Sequence, residues 1–129
     1  GELTRLLGHI PARDKMQERN KLEAAAIRLA GETESVVVFK GPDSLITDGT
    51  MSIRNETGNP GMATAGTGDV LTGVLAALLA QQLSTFDATR LAVWIHGAAG
   101  DEAAERKGEC SLTSSDLLEC LHTQTRRCV

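Results

Sequence analysis

The chain has 129 residues, room for one domain and little more. Thirteen Lys and Arg stand against 17 Asp and Glu, a net charge of −4, which argues against the basic face that nucleic-acid binding wants. Two Phe, one Trp and no Tyr are too few for a base-stacking platform, and no apolar run reaches the roughly 18 residues of a membrane span.

Glu2 to Leu7 reads as a short helix with Leu3, Leu6 and Leu7 on one side, ended by Gly8 and Pro11. Asp14 to Gly31 reads as a helix with Asp14 as N-cap, Gly31 as C-cap, and Leu22, Ala25, Ala26 and Leu29 as its apolar stripe. Val36 to Phe39, four apolar residues, predicts a strand buried on both faces. Lys40-Gly41-Pro42-Asp43 predicts a turn. Leu45–Thr47 and Met51–Arg54 predict an antiparallel hairpin around Asp48-Gly49. Asn55 to Gly68 is a glycine-rich loop. Helices follow over Asp69–Gln82, Phe86–Arg106 and Ser114–His122. The first of these is apolar nearly all round, so it is expected inside the molecule or under the interface of a homo-oligomer. Strands interleaved with helices predict an α/β domain with helices covering a sheet.

Cys110, Cys120 and Cys128 are odd in number and match no zinc spacing, so they read as reduced thiols. The polar, acidic N-terminus does not read as a signal peptide. A cytoplasmic protein with no membrane and no nucleic-acid partner is expected.

The informative stretch is Asn59 to Gly73, NPGMATAGTGDVLTG. It delivers a glycine-rich loop into a helix start, where the first N–H groups have no helical partners and the dipole adds about half a positive charge. Gly66 and Gly68 lack a Cβ and let their amides approach an anion closely. Phosphate, or charge developing in phosphoryl transfer, fits such a place. Asp69 has two readings: a plain N-cap, which spacing alone favours, or a base that takes a proton from a hydroxyl attacking phosphorus. Gly73, inside the helix, suggests close packing of another backbone or a ligand. Lys40 reads as a solvated lysine at a strand end. His96 reads as a packed structural histidine, His9 and His122 as surface residues, and Asp101 and Glu102 as capping or solvated carboxylates.

The run around Gly66-Thr67-Gly68-Asp69 resembles the signature of the NAD(P)H-hydrate dehydratases. Val36 to Gly41, Trp94 to Asp101, Ser114 to Leu118 and Gly1 to Gly8 resemble the family's companion segments in order, so the likeness covers the chain. It implies a ribokinase-like, three-layer α/β/α fold, with residues 1–129 as the C-terminal part of a single domain. The family's substrate-contacting His would precede Gly1, and whether this length acts alone stays open. It also implies ADP or ATP as phosphoryl donor, with Mg²⁺. The hydroxyl of hydrated NADH or NADPH (the S epimer) is phosphorylated, phosphate leaves, and the ring double bond returns. An epimerase domain or partner is expected. By the same resemblance Asp69 is the base at the substrate hydroxyl and Gly66, Thr67 and Gly68 form the anion hole. Lys40, Gly41, Pro42, Asp43, Ser44 and Gly68 meet the nucleotide, and Asn59 lies near phosphate or metal, whose ligands stay open. Two competitors remain: another ribokinase-like small-molecule kinase, and a non-catalytic nucleotide-binding half-domain.

Overall fold

The computed structural model describes residues 12–127, with side chains over 15–126. The readings for Glu2–Leu7, His9 and Cys128 lie outside these residues. Helix α1 spans Ala12–Thr33 and leads into strands β1 (Val37–Phe39), β2 (Ser44–Thr47) and β3 (Ser52–Asn55). A loop with one 3-10 turn (Pro60–Met62) leads to α2 (Thr67–Ala80) and α3 (Thr85–Lys107). A second 3-10 turn (Glu109–Ser111) precedes α4 (Ser114–Arg127).

The described strands form one antiparallel sheet in the order β1-β2-β3, with Ile46 opposite Ile53 and Leu45 opposite Arg54. Adjacent residues of a strand point to opposite faces, and both Leu45 and Ile46 are buried. The sheet is therefore covered on both sides. Helix α1 packs on β1 and β2, and Arg54 reaches Glu23 of α1 from that face. Ile46 and Ile53 look the other way, toward Leu91 and Trp94 of α3. This is the helix–sheet–helix layering expected. The hairpin is also as expected, with the Asp48 carboxylate accepting the Thr50 and Met51 N–H groups at 2.8 and 2.7 Å.

Helix α1 departs from its sequence reading in three ways. It already runs at Ala12, so Asp14 lies inside it and is not its N-cap. Gly31 is not the C-cap either. The helix continues to Thr33, Glu34 takes the left-handed conformation (φ 49°), and Ser35 N–H closes onto the Ala30 carbonyl at 3.1 Å. Gly31 instead meets the hairpin: a Cβ on Gly49, itself at φ 94°, would stand 2.5 Å from the Gly31 Cα. That close approach selects Ala26, Ala30 and Glu23 as the buried stripe and leaves Leu22 and Leu29 half exposed.

Three further expectations are corrected: the burial of strand β1 on both faces, the placement of helix α2 inside the molecule, and the packing of another backbone at Gly73. Strand β1 is half-buried along its whole length, not buried on both faces, because it is an outer strand of the described sheet. Helix α2 buries only Thr67 and Val70 among the described residues, and Leu79 is exposed. Gly73 has no atom near the position of a Cβ, so the close packing inferred for it is absent among the described residues.

The core lies between α3 and α4, where Ala99, Ala103, Leu112, Leu117 and Cys120 pack together. Small residues on α3 let its neighbours approach closely, which makes it the central support of α2, α4 and the sheet. Helix α4 begins on a reciprocal cap in which Asp116 accepts the Thr113 N–H at 2.9 Å and also binds Lys107.

Glu23 is the fold's main electrostatic joint. Hydrogen bonds from Arg54 (2.6 Å) and then Arg19 (2.9 Å) hold its carboxyl at about 2, below the usual 4.5. A carboxyl whose folded pKa is depressed contributes stability that is complete above about 4.5 and is lost as pH falls toward about 2. Asp116, held at about 2 against its usual 3.8, adds to the loss from about 3.8 downward. Glu23→Gln is expected to lower stability at pH 7 by about 1–2 kcal/mol, since Arg54 is half in water, and to flatten the acid limb. Urea midpoints at pH 7, 4.5 and 3 measure both effects. An unchanged slope between pH 4.5 and 3 would refute the assignment.

Candidate active site

The loop before α2 ends at Gly66, which takes φ 85° and serves as the N-cap. Its carbonyl accepts the N–H groups of Asp69 (3.1 Å) and Val70 (3.2 Å). Thr67 and Gly68 are the first helical residues, and their N–H groups have no partner among the described residues. These are the donors the sequence reading assigned to an anion. The Thr67 side chain does not join them: its buried hydroxyl turns back to the carbonyls of Met62 (2.9 Å) and Thr64 (3.0 Å). Thr67 offers an anion its backbone alone.

Asp69 is the third residue of α2, so the N-cap reading is overturned, because Gly66 holds that position. Its carboxylate is exposed and makes no hydrogen bond or ion pair among the described residues. A free acceptor on the same turn as two free donors could take a proton beside a phosphoryl group.

Lys40 follows β1, and its ammonium reaches across to the same helix end. A Cβ on Gly68 would stand 3.3 Å from Lys40 Nζ. The lysine has no ion-pair partner among the described residues. A cation held without a counterion beside the positive end of a helix is unfavourable unless an anion occupies the gap.

The rest of the turn is braced from beneath. Arg19 donates to the carbonyls of Pro42 and Asp43, and Arg54 to that of Asp43 at 3.4 Å. Ser44 Oγ accepts the Gly41 N–H at 3.2 Å and donates to the Gly41 carbonyl at 3.0 Å. Glu23 orients both arginines. Gly41, Pro42, Asp43 and Ser44 thus form a fixed rim next to Lys40. Asn59 is engaged at both ends, accepting the Gly61 N–H (3.1 Å) and donating to Asp101 (3.0 Å).

His96 is packed and structural, as its surroundings on α3 suggest, but its partner is at the site. Its Nε2 lies 2.8 Å from the Thr67 carbonyl. A carbonyl only accepts, so Nε2 carries the hydrogen. Burial lowers the imidazole pKa and the Lys40 charge pushes the same way, against the bond to Thr67. The sequence reading also missed the support given by Arg19, Glu23, Arg54 and Asp101. The i, i+4 spacing of Arg19 and Glu23 was a signal for the first two.

The family model described as NAD(P)H-hydrate dehydratase matches residues 1–123. The chain is 49% identical over 123 residues to the bifunctional NAD(P)H-hydrate repair enzyme Nnr of Moorella thermoacetica, covering 94% of this chain and 22% of that protein. It is 38% identical over 121 residues to the ADP-dependent (S)-NAD(P)H-hydrate dehydratase of Cenarchaeum symbiosum, covering 94% of this chain and 40% of that one. Among solved structures it superposes on the ADP/ATP-dependent NAD(P)H-hydrate dehydratase of Bacillus subtilis, co-crystallised with ATP and Mg²⁺. There the TM-score is 0.77 at 28% identity, covering 98% of this chain and 45% of that one. The fold is therefore that of part of a ribokinase-like dehydratase domain. The chain spans less than half the length of these relatives.

Proposed function

Because the chain belongs to the NAD(P)H-hydrate dehydratase family, we propose that it carries the phosphate site and base of nicotinamide nucleotide repair. In this reading ADP or ATP places its transferable phosphate at the Thr67 and Gly68 N–H groups, with Lys40 beside it. The hydroxyl of (S)-hydrated NADH or NADPH attacks phosphorus while Asp69 accepts its proton. The P–O bond to the nucleotide breaks as the new one forms, releasing AMP from ADP or ADP from ATP. The ring C–O bond then breaks, phosphate leaves with the bonding pair, the neighbouring ring carbon loses a proton to water, and the ring double bond returns. Lys40, Gly41, Pro42, Asp43, Ser44 and Gly68 line the nucleotide, and Asn59 acts through the loop that holds the anion site. Mg²⁺ takes most of its ligands from nucleotide phosphates and water, so the chain itself needs to supply few.

The observation that carries this reading is the free ammonium of Lys40 over the unpartnered start of α2, with the free carboxylate of Asp69 on the same turn. The test incubates the chain with hydrated NADH, Mg²⁺ and either ADP or ATP, and follows nicotinamide absorbance. Its return is expected, and the nucleotide that supports it names the donor. Accumulation of a stable phosphate ester would identify a small-molecule kinase instead. Lys40→Met is expected to weaken ADP binding by about 10–100-fold, the loss of one charge-assisted contact, as read by calorimetry. An unchanged affinity would return Lys40 to the solvated reading.

The exposed apolar side of α2 favours a second reading, a nucleotide-binding portion that turns over only with further chain. Nucleotide binding without absorbance change would support it. The same side offers the surface for the proposed homo-oligomer, and an epimerase remains the proposed partner. No helix among the described residues is long and apolar enough to cross a membrane. A cytoplasmic setting remains part of the proposal.

A further inference from the structure

One side of α3 grips the loop that carries the anion site. His96 donates to the Thr67 carbonyl at 2.8 Å. Gly97 lies against Thr57, where a Cβ would come within 2.1 Å of Oγ1, and Gly100 lies against the Met62 sulfur. Asp101 accepts the Gly58 N–H at 2.9 Å through one oxygen and the Asn59 amide at 3.0 Å through the other. These four residues are spaced i, i+1, i+4 and i+5, which puts them on one helical face. The loop from Glu56 to Gly66 has one 3-10 turn and no strand, so its polar groups need partners from elsewhere. Helix α3 supplies them.

We infer that Asp101 and His96 are positioning residues. Asp101 anchors the loop ahead of the anion site, His96 anchors the first residue of α2, and between them they fix where the Thr67 and Gly68 N–H groups and the Asp69 carboxylate stand. The inference rests on the proposed phosphate site. Neither side chain reaches the anion; each acts through the backbone it holds. A preorganised site needs its donors placed to within about half an ångström. The bonds inside the loop, between Asn59 and Gly61 and between Thr67 and the Met62 and Thr64 carbonyls, tie the loop to itself, while the α3 contacts fix it against the rest of the fold.

The donor–acceptor pattern provides the test. Asp101→Asn leaves one acceptor where two donors converge, so one bond is lost and two donors face each other. Asn59→Asp sets two carboxylates face to face. The double variant restores the pattern: the new amide at 101 accepts from Gly58 and donates to the new carboxylate at 59, which still accepts the Gly61 N–H. ADP affinity with Mg²⁺ and hydrogen exchange of the Asp69 and Val70 amides are measured for all four proteins. Each single variant is expected to bind ADP about 10-fold more weakly or worse and to exchange those amides faster. The double variant is expected within about threefold of the parent. Singles that bind and exchange like the parent would overturn the inference, as would a double no better than the singles. Where the singles do not fold, the double decides alone. If the parent does not bind ADP, the phosphate reading fails separately, and the exchange rates still decide the positioning role.

Discussion

Asp69→Asn is expected to lower turnover of hydrated NADH by about 10²–10⁴-fold, the usual contribution of a positioned base, while ADP affinity stays within about threefold. The two readouts separate because the carboxylate stands beside the anion site and not on it. Asp69 N–H is already committed to the Gly66 carbonyl at 3.1 Å, and the side chain has no partner to lose among the described residues. Asparagine keeps the shape and the polarity but has no lone pair basic enough to accept a proton at neutral pH. It is also tolerated in a first helical turn, so the fold is expected to survive. Were Asp69 only complementing the helix dipole, its replacement would remove a few tenths of a kcal/mol and leave turnover intact. Turnover within tenfold of the parent would therefore remove Asp69 from the chemistry. Loss of ADP binding together with turnover would instead make it a structural member of the loop. Stopped-flow absorbance at saturating nucleotide, paired with calorimetry, gives both numbers.

The sequence carried the elements well. Apolar spacing located α1, α2, α3 and α4 to within a few residues, and Asp48-Gly49 marked its hairpin. The Gly66-Thr67-Gly68-Asp69 run marked a helix start, and its first N–H groups are without partners among the described residues. Tertiary choices were not legible. Leu22 and Leu29 make the stronger apolar stripe on α1 by composition, yet the Gly31–Gly49 approach and the seat of Glu23 between Arg19 and Arg54 turn a different side inward. Asp69 looked like a cap because Asp often is one; only the left-handed Gly66 shows that the helix begins earlier. His96 and Asp101 looked bland because a side chain that acts through a distant backbone carries no local sign of it.

Gly97→Ala and Gly73→Ala are expected to shift stability in opposite directions. Both glycines lie inside helices, where propensity alone favours Ala by about 1 kcal/mol. At Gly97 that gain is overwhelmed. A Cβ would stand 2.1 Å from Thr57 Oγ1 and 2.7 Å from the Thr57 carbonyl carbon and oxygen, so backbone and not a flexible side chain must move. Overpacking of this kind costs about 3 kcal/mol, the upper part of its usual range. Because Thr57 adjoins Gly58 on the loop that Asp101 holds, ADP affinity is expected to fall with it. At Gly73 a Cβ meets open space, and Gly73→Ala is expected to raise stability by about 1 kcal/mol, roughly 4 °C in Tm. Thermal unfolding of the two variants beside the parent reads both. A neutral Gly97→Ala would mean that α3 and the loop do not approach as described. The sign at Gly73 also reports on the apolar side of α2. A self-associating chain that covers Gly73, Ala76 and Ala77 closely, exposed residues on one side of the helix, would find the added methyl in its way, and its dimerisation constant would fall as monomer stability rises. In a longer polypeptide whose further segments pack there, the same substitution would turn from stabilising to destabilising. That reversal would show that the open face in this chain is the inner face of a larger domain.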